Sequence, residues 1–203
     1  MNGKLIVIEG PDGLGKSTLV QALEDSLTKD GIPSLILAFP GRDVGSLGEL
    51  IYRIHHDSNE FGIAEVDPAA LQCLHIAAHL NVIAQTIKPA LAEGKTVVLD
   101  RFWWSTLVYG KIAGVDESIL THMIDAEKSM WAKDLPNLAV LLSRKEPFCV
   151  RPEHDKWLSL VNEYNTLAEA ESSCYPVKVI HLQDGIEEAV PVILQHVSGN
   201  HRA

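Results

Sequence analysis

Between Gly10 and Ser17 the chain reads GPDGLGKS, directly after the apolar run LIVI. The spacing is that of a phosphate-binding loop, G-x-x-x-x-G-K-[ST], set between a strand and a helix. Each residue type has a physical reason to stand there. Gly10, Gly13 and Gly15 let backbone N–H groups turn inward around an anion, with Asp12 and Leu14 between them. The helix opening at Lys16, Ser17 and Thr18 aims its positive end at the same anion. Lys16 is placed to reach β- and γ-phosphates, and Ser17 to offer a hydroxyl to Mg²⁺. A plain strand-to-helix turn needs neither the lysine nor the hydroxyl at fixed offsets. The chemistry implied is the binding of a nucleoside triphosphate, ATP, with Mg²⁺.

Three more stretches carry groups suited to that chemistry. TVVLDR ends an apolar run in Asp100, suited to Mg²⁺ or its waters, and Arg101, suited to a phosphate. A solvated turn is the alternative reading. FPGR places Arg42 where a guanidinium could hold a second phosphate bidentately, or simply lie on the surface. HIAAH sets His75 and His79 one helical turn apart on a shared face, where they contact a ligand or only pack. A zinc pair is disfavoured, because Ile76 stands where a zinc protease carries glutamate.

These residues need a frame. KLIVIEG, PSLILAFP, KTVVLD, NLAVLL and YPVKVIHL read as five short buried strands. Helical patterns separate them: Leu19, Leu23 and Leu27, then LGELIYRIHHDS, a long stretch from Pro68 to Glu93, a polar segment from Glu117 to Trp131, and DKWLSLVNEYNTLAEAES. IEEAVPVILQHV reads as a last helix interrupted near Pro191. Short apolar strands alternating with helices predict a three-layer α-β-α domain around a five-stranded parallel sheet. Ligands of such sheets gather at the carboxyl ends of the strands, where GPDGLGKS, FPGR and Asp100 all fall. With no linker or repeat in 203 residues, one domain over 1–203 is expected.

Composition sets outer limits. A net charge of −10 disfavours nucleic acid or an anionic membrane as a partner held by nonspecific charge. Cys73, Cys149 and Cys174 have neither metal nor disulfide spacing, which predicts a reducing, cytoplasmic setting. MNGKLIVIEG enters its glycine loop too early for a secretory signal, and no apolar run approaches membrane-span length.

Taken together, IEGPDGLGKST, FPGR, AAHLNVIAQTIKPALAEGKTVVLDR and STLVYG resemble thymidylate kinases, of the phosphate-loop nucleoside monophosphate kinase group, in order and nearly in spacing. The resemblance covers most of the chain. It implies a P-loop kinase that transfers the γ-phosphoryl of ATP to dTMP or a related deoxynucleoside monophosphate, with Mg²⁺, as a homodimer. It gives Lys16 and Ser17 the donor roles already described and places Asp100 near Mg²⁺. Asp12 falls on an acidic loop residue that contacts the acceptor sugar. Arg42 and Arg101 fall on arginines that hold the acceptor phosphate and the transferring group. Ser105 lies in the matching STLVYG stretch, and Tyr109 falls on a tyrosine packed under the sugar. Phe39–Pro40 falls on a dipeptide near the acceptor, where an X-Pro bond can be cis.

The chain departs from that pattern in two places. His75 and His79 stand where the family has a stacking phenylalanine and an arginine that reads an exocyclic oxygen. The family's arginine-rich lid is short here, around 143–157, with Arg144 and Arg151 as the candidates to supply positive charge, or as parts of a solvated basic loop. Trp103 and Trp104 either wall the acceptor pocket or join the core. Two other functions remain open: a deoxynucleoside kinase of the same fold, and a nucleotide-binding regulator without catalysis.

Overall fold

Five short strands carry the sheet in the computed structural model, which describes residues 3–41, 43–146, 156–182 and 186–198. They are β1 (Lys4–Glu9), β2 (Ser34–Ala38), β3 (Thr96–Asp100), β4 (Leu138–Ser143) and β5 (Val177–His181). All pair in parallel, in the order β2-β3-β1-β4-β5. The three inner strands are buried on both faces, which is why their sequences are unbroken apolar runs.

Alternate residues serve opposite layers. Leu5, Val7, Val97, Leu99, Ala139 and Leu141 point into one core, and Ile6, Ile8, Val98, Leu138 and Val140 into the other. Helices α1 (Lys16–Lys29) and α8 (Ala189–Ser198) cover the second core with Leu19, Leu23, Leu27, Ala189 and Ile193. The first lies under α3 (Pro68–Val82), α4 (Lys88–Ala92), α5 (Trp103–Ile112), α6 (Glu117–Trp131) and α7 (Trp157–Glu171). Helix α2 (Leu47–His56) packs on α3. This is the three-layer, five-stranded parallel arrangement that the strand and helix patterns predict.

Three local features differ from expectation. The stretch from Pro68 is not one regular helix: a π-helical turn, Ile83–Ile87, joins α3 to α4. Helix α8 is not interrupted at Pro191, because it starts at Ala189 and the proline lies in its first turn, where a missing N–H costs little. Helix α5 has no counterpart in the pattern reading. Its residues Trp103, Trp104, Ser105, Thr106, Val108 and Gly110 are buried around most of its circumference, so no amphipathic stripe marks it. A Cβ at Gly110 would lie 2.5 Å from Leu120 Cδ2, so glycine is what lets α5 approach α6 this closely.

Candidate active site

Ile8 of β1 is in register with Asp100 of β3, so the loops leaving these strands share one rim. Gly10 leaves β1 at φ 136, and a Cβ there would lie 2.5 Å from Leu142 O. Only glycine turns the chain in that space. Leu14 anchors the loop in the core at 0% exposure. Gly15 caps α1 and no side chain among the described residues caps that end by a hydrogen bond, so its opening amides are available to an anion.

Lys16 is buried, and its Nζ donates to Gly10 O (2.7 Å) and Pro11 O (2.8 Å). Asp12 Oδ1 lies 3.9 Å from it. Burial, then the nearby Arg101 charge, lowers its pKa to about 8. A phosphate chain beside Nζ favours the charged form. Binding of a nucleoside triphosphate at pH 8 is therefore expected to take up a fraction of a proton. Calorimetry in two buffers of different ionisation enthalpy should give different apparent heats; equal heats would remove Lys16 from the phosphate site.

Ser17 Oγ donates to Asp100 Oδ2 at 3.2 Å. Asp100 Oδ1 is buried and has no hydrogen-bond partner among the described residues. A buried carboxylate oxygen without a protein donor, beside a hydroxyl, is a donor set suited to a hydrated divalent cation. A cavity of about 350 Å³ adjoins both residues and is also lined by Pro40, Asp43, Gly48 and Thr86.

Asp12, Arg101 and Tyr109 close on one another beside this donor set. The Arg101 guanidinium is bonded to the Asp12 carboxylate and lies over the Tyr109 ring, 5.4 Å from its centroid. Tyr109 donates to Asp12 Oδ2 at 3.0 Å and accepts from the Asp12 N–H at 3.2 Å. The backbone of Arg101 is left-handed, φ 74, with its N–H donating to Ile8 O at 2.9 Å.

Beneath them lies a group that motif reading missed. Glu9 is wholly buried; its Oε1 accepts from the N–H groups of Phe102 (2.7 Å) and Ser105 (3.1 Å). Its Oε2 accepts from the Ser105 hydroxyl (2.7 Å) and the Gly10 N–H (3.3 Å). Glu9 thus caps α5, whose own cap residue Phe102 offers no side-chain acceptor. Ser105 Oγ in turn accepts from Arg101 Nη1 at 2.9 Å and meets the Tyr164 hydroxyl at 2.9 Å. Burial raises the Glu9 carboxyl above its usual range, while Arg101 and these donors pull it back down. Nothing in the apolar run LIVIEG marks this glutamate as a hub except its place at a strand's carboxyl end.

The Phe39–Pro40 bond is cis. Phe39 stacks on His79 at 3.9 Å between ring centroids. His79 is only 3% exposed, and its Nδ1 lies 2.8 Å from Oε2 of Glu127, a second wholly buried glutamate. His75 lies 6.4 Å from His79 by ring centroid, and its Nε2 meets His55 Nδ1 at 3.1 Å. Burial, followed by the neighbouring histidines, pushes His75 down to about 3, so it is neutral at physiological pH. Trp103 and Trp104 are core: Trp104 Nε1 donates to Tyr175 OH at 2.9 Å, and Lys128 Nζ lies 4.1 Å from the Trp103 ring. Thr18 faces outward on α1. Arg144 follows β4 directly and is half-buried. Arg42, Arg151 and most of the 143–157 segment lie outside the described residues.

A family model described as thymidylate kinase matches residues 8–156. A thymidylate kinase of Chlorobium luteolum is 34% identical over 170 residues, 83% of this chain and 76% of that protein. One of Bacillus licheniformis is 39% identical over 122 residues, 58% of this chain and 54% of that protein, so the match spans about half of that relative. The fold is shared with the crystal structure of thymidylate kinase from Ehrlichia chaffeensis, at a TM-score of 0.69 and 19% identity, over 98% of this chain and 97% of that one. No helix among the described residues is long and apolar enough to cross a membrane.

Proposed function

We propose that this chain, which belongs to the thymidylate kinase family, transfers the γ-phosphoryl group of ATP to a pyrimidine deoxynucleoside monophosphate, dTMP foremost. The observation that carries the reading is one rim on which a donor set, Lys16, Ser17 and Asp100, abuts an acceptor set, Asp12, Arg101 and Tyr109. The glycine loop and the open end of α1 hold the triphosphate. Lys16 exchanges its carbonyl partners for β- and γ-oxygens. Arg101 holds the group in transfer, while Asp12 and Tyr109 place the acceptor sugar. Mg²⁺, held through Ser17 and Asp100, supplies charge to the phosphate oxygens when bound. The protein's part is positioning and charge compensation, since this transfer needs little covalent chemistry from the enzyme.

Arg42 is assigned to the acceptor phosphate, and Arg144 and Arg151 to a short lid around 143–157 that completes the charge clamp. Phe39, Pro40, His75 and His79 form the acceptor side, and Ser105 acts through Arg101. The reading treats 1–203 as one domain, working in the cytoplasm as a homodimer. The outward face of α3, where Ala70, Cys73 and Ala77 are exposed, supports that pairing.

ADP production should be measured with ATP and Mg²⁺ against nucleosides and nucleoside monophosphates. Turnover with dTMP, and not with thymidine, is expected. Arg42→Ala should raise the KM for dTMP by about one to two orders of magnitude and leave the KM for ATP nearly unchanged. Turnover with nucleosides alone would move the chain to the deoxynucleoside kinases, and silence with every acceptor would make it a regulator.

A further inference from the structure

Glu127 lies on α6, outside every motif, yet it is wholly buried against the acceptor side. Its two oxygens have different partners. Trp131 Nε1, which can only donate, donates a hydrogen bond to Oε1 at 3.2 Å. Oε2 lies 2.8 Å from His79 Nδ1, with Phe39 stacked on the same imidazole. The other ring nitrogen, His79 Nε2, makes no hydrogen bond among the described residues.

We propose that Glu127 is a positioning residue for base choice: it holds the proton of His79 on Nδ1, so that Nε2 meets the acceptor base as a hydrogen-bond acceptor. The proposal rests on the acceptor-site reading above. A carboxylate accepts, so His79 donates through Nδ1, and in the tautomer this contact selects the lone pair lies on Nε2. A base edge that donates suits that lone pair: the exocyclic amino group of cytosine, or the ring N–H of thymine. The exocyclic oxygen of thymine meets it lone pair to lone pair. The pair therefore presents the opposite polarity to a guanidinium, which only donates. Discrimination for dTMP over dCMP is correspondingly shallow in this chain.

Glu127→Gln reverses the polarity without changing the shape. Trp131 still requires an acceptor, so it keeps the amide oxygen and turns the amide N–H₂ toward His79 Nδ1. His79 must then carry its proton on Nε2, where it donates to the thymine oxygen. The test compares wild type, Glu127→Gln, His79→Gln and the double variant. Calorimetry gives Kd for dTMP and dCMP, steady-state assays give kcat/KM for both, and ¹⁵N-resolved spectra of His79 give its tautomer. The expected result is Nδ1–H in wild type and Nε2–H in Glu127→Gln. The dTMP-to-dCMP preference should rise roughly two- to tenfold, the worth of one hydrogen bond. In the His79→Gln background, Glu127→Gln should leave the preference unchanged. A preference that stays level or falls, a doubly protonated or Nε2–H ring in wild type, or an effect that survives His79→Gln would overturn the proposal. The spectra and the Kd values decide it even if every kinase assay is silent, an outcome that would overturn the kinase reading instead.

Discussion

Lys16→Met is expected to lower kcat by roughly 10²–10³-fold, the usual cost of removing one preorganised donor from a developing anion. The fold should survive. Methionine matches the length of the buried lysine stem, and the substitution removes an ammonium that burial already destabilises, as its pKa of about 8 records. The carbonyls of Gly10 and Pro11 lose their donor, a loss that offsets that gain. Thermal melting should therefore move by only a few degrees while ADP production collapses. Near-wild-type kcat would show that the charge of Lys16 does not act on the transferring group.

Glu9→Ala should have the largest effect on stability. The buried Phe102 N–H and the Ser105 hydroxyl would lose their carboxylate acceptor, while the Ser105 N–H keeps Phe102 O at 3.1 Å, and a buried donor left without a partner costs about 1–3 kcal/mol. A cavity adds to this. A loss of about 3–5 kcal/mol is a large share of the 5–15 kcal/mol typical of a domain. At this chain length it corresponds to a fall in Tm of roughly 10 °C. Because burial raises the Glu9 pKa, the folded chain holds that proton more tightly than the unfolded chain. Stability from this group is therefore full below the ordinary carboxylate range and is lost as pH rises from there through the raised value, a loss that the four surrounding donors keep small. Glu9→Gln keeps an acceptor for both amides and should melt between the two. Its kcat should still fall, since Ser105 no longer fixes Arg101 as before. A Glu9→Ala chain that melts with wild type would show that α5 does not depend on this cap.

The phosphate loop was legible because its meaning is local: glycines, lysine and serine at fixed offsets between a strand and a helix. The inner strands were legible because burial on both faces leaves apolar runs. What escaped depends on contacts between distant segments. Glu9 and Ser105 are 96 positions apart, and His79 and Glu127 are 48 apart. Neither pair leaves a periodic trace. Helix α5 escaped for the opposite reason, since a helix apolar on nearly every side resembles a buried strand. HIAAH showed two histidines on one face but not their partners, and these separate them: one ring neutral against His55, the other held by a buried carboxylate.

Arg101 bears a bulky side chain on a left-handed backbone, a conformation that costs about 1–2 kcal/mol for anything but glycine or asparagine. The position is one where durability and function pull apart. Glycine would relax the turn, and a search guided by melting temperature alone would drift toward it. That search would discard the guanidinium that bonds Asp12 and Ser105. The retained strain marks what the chain gives up to keep a charge at that point on the rim.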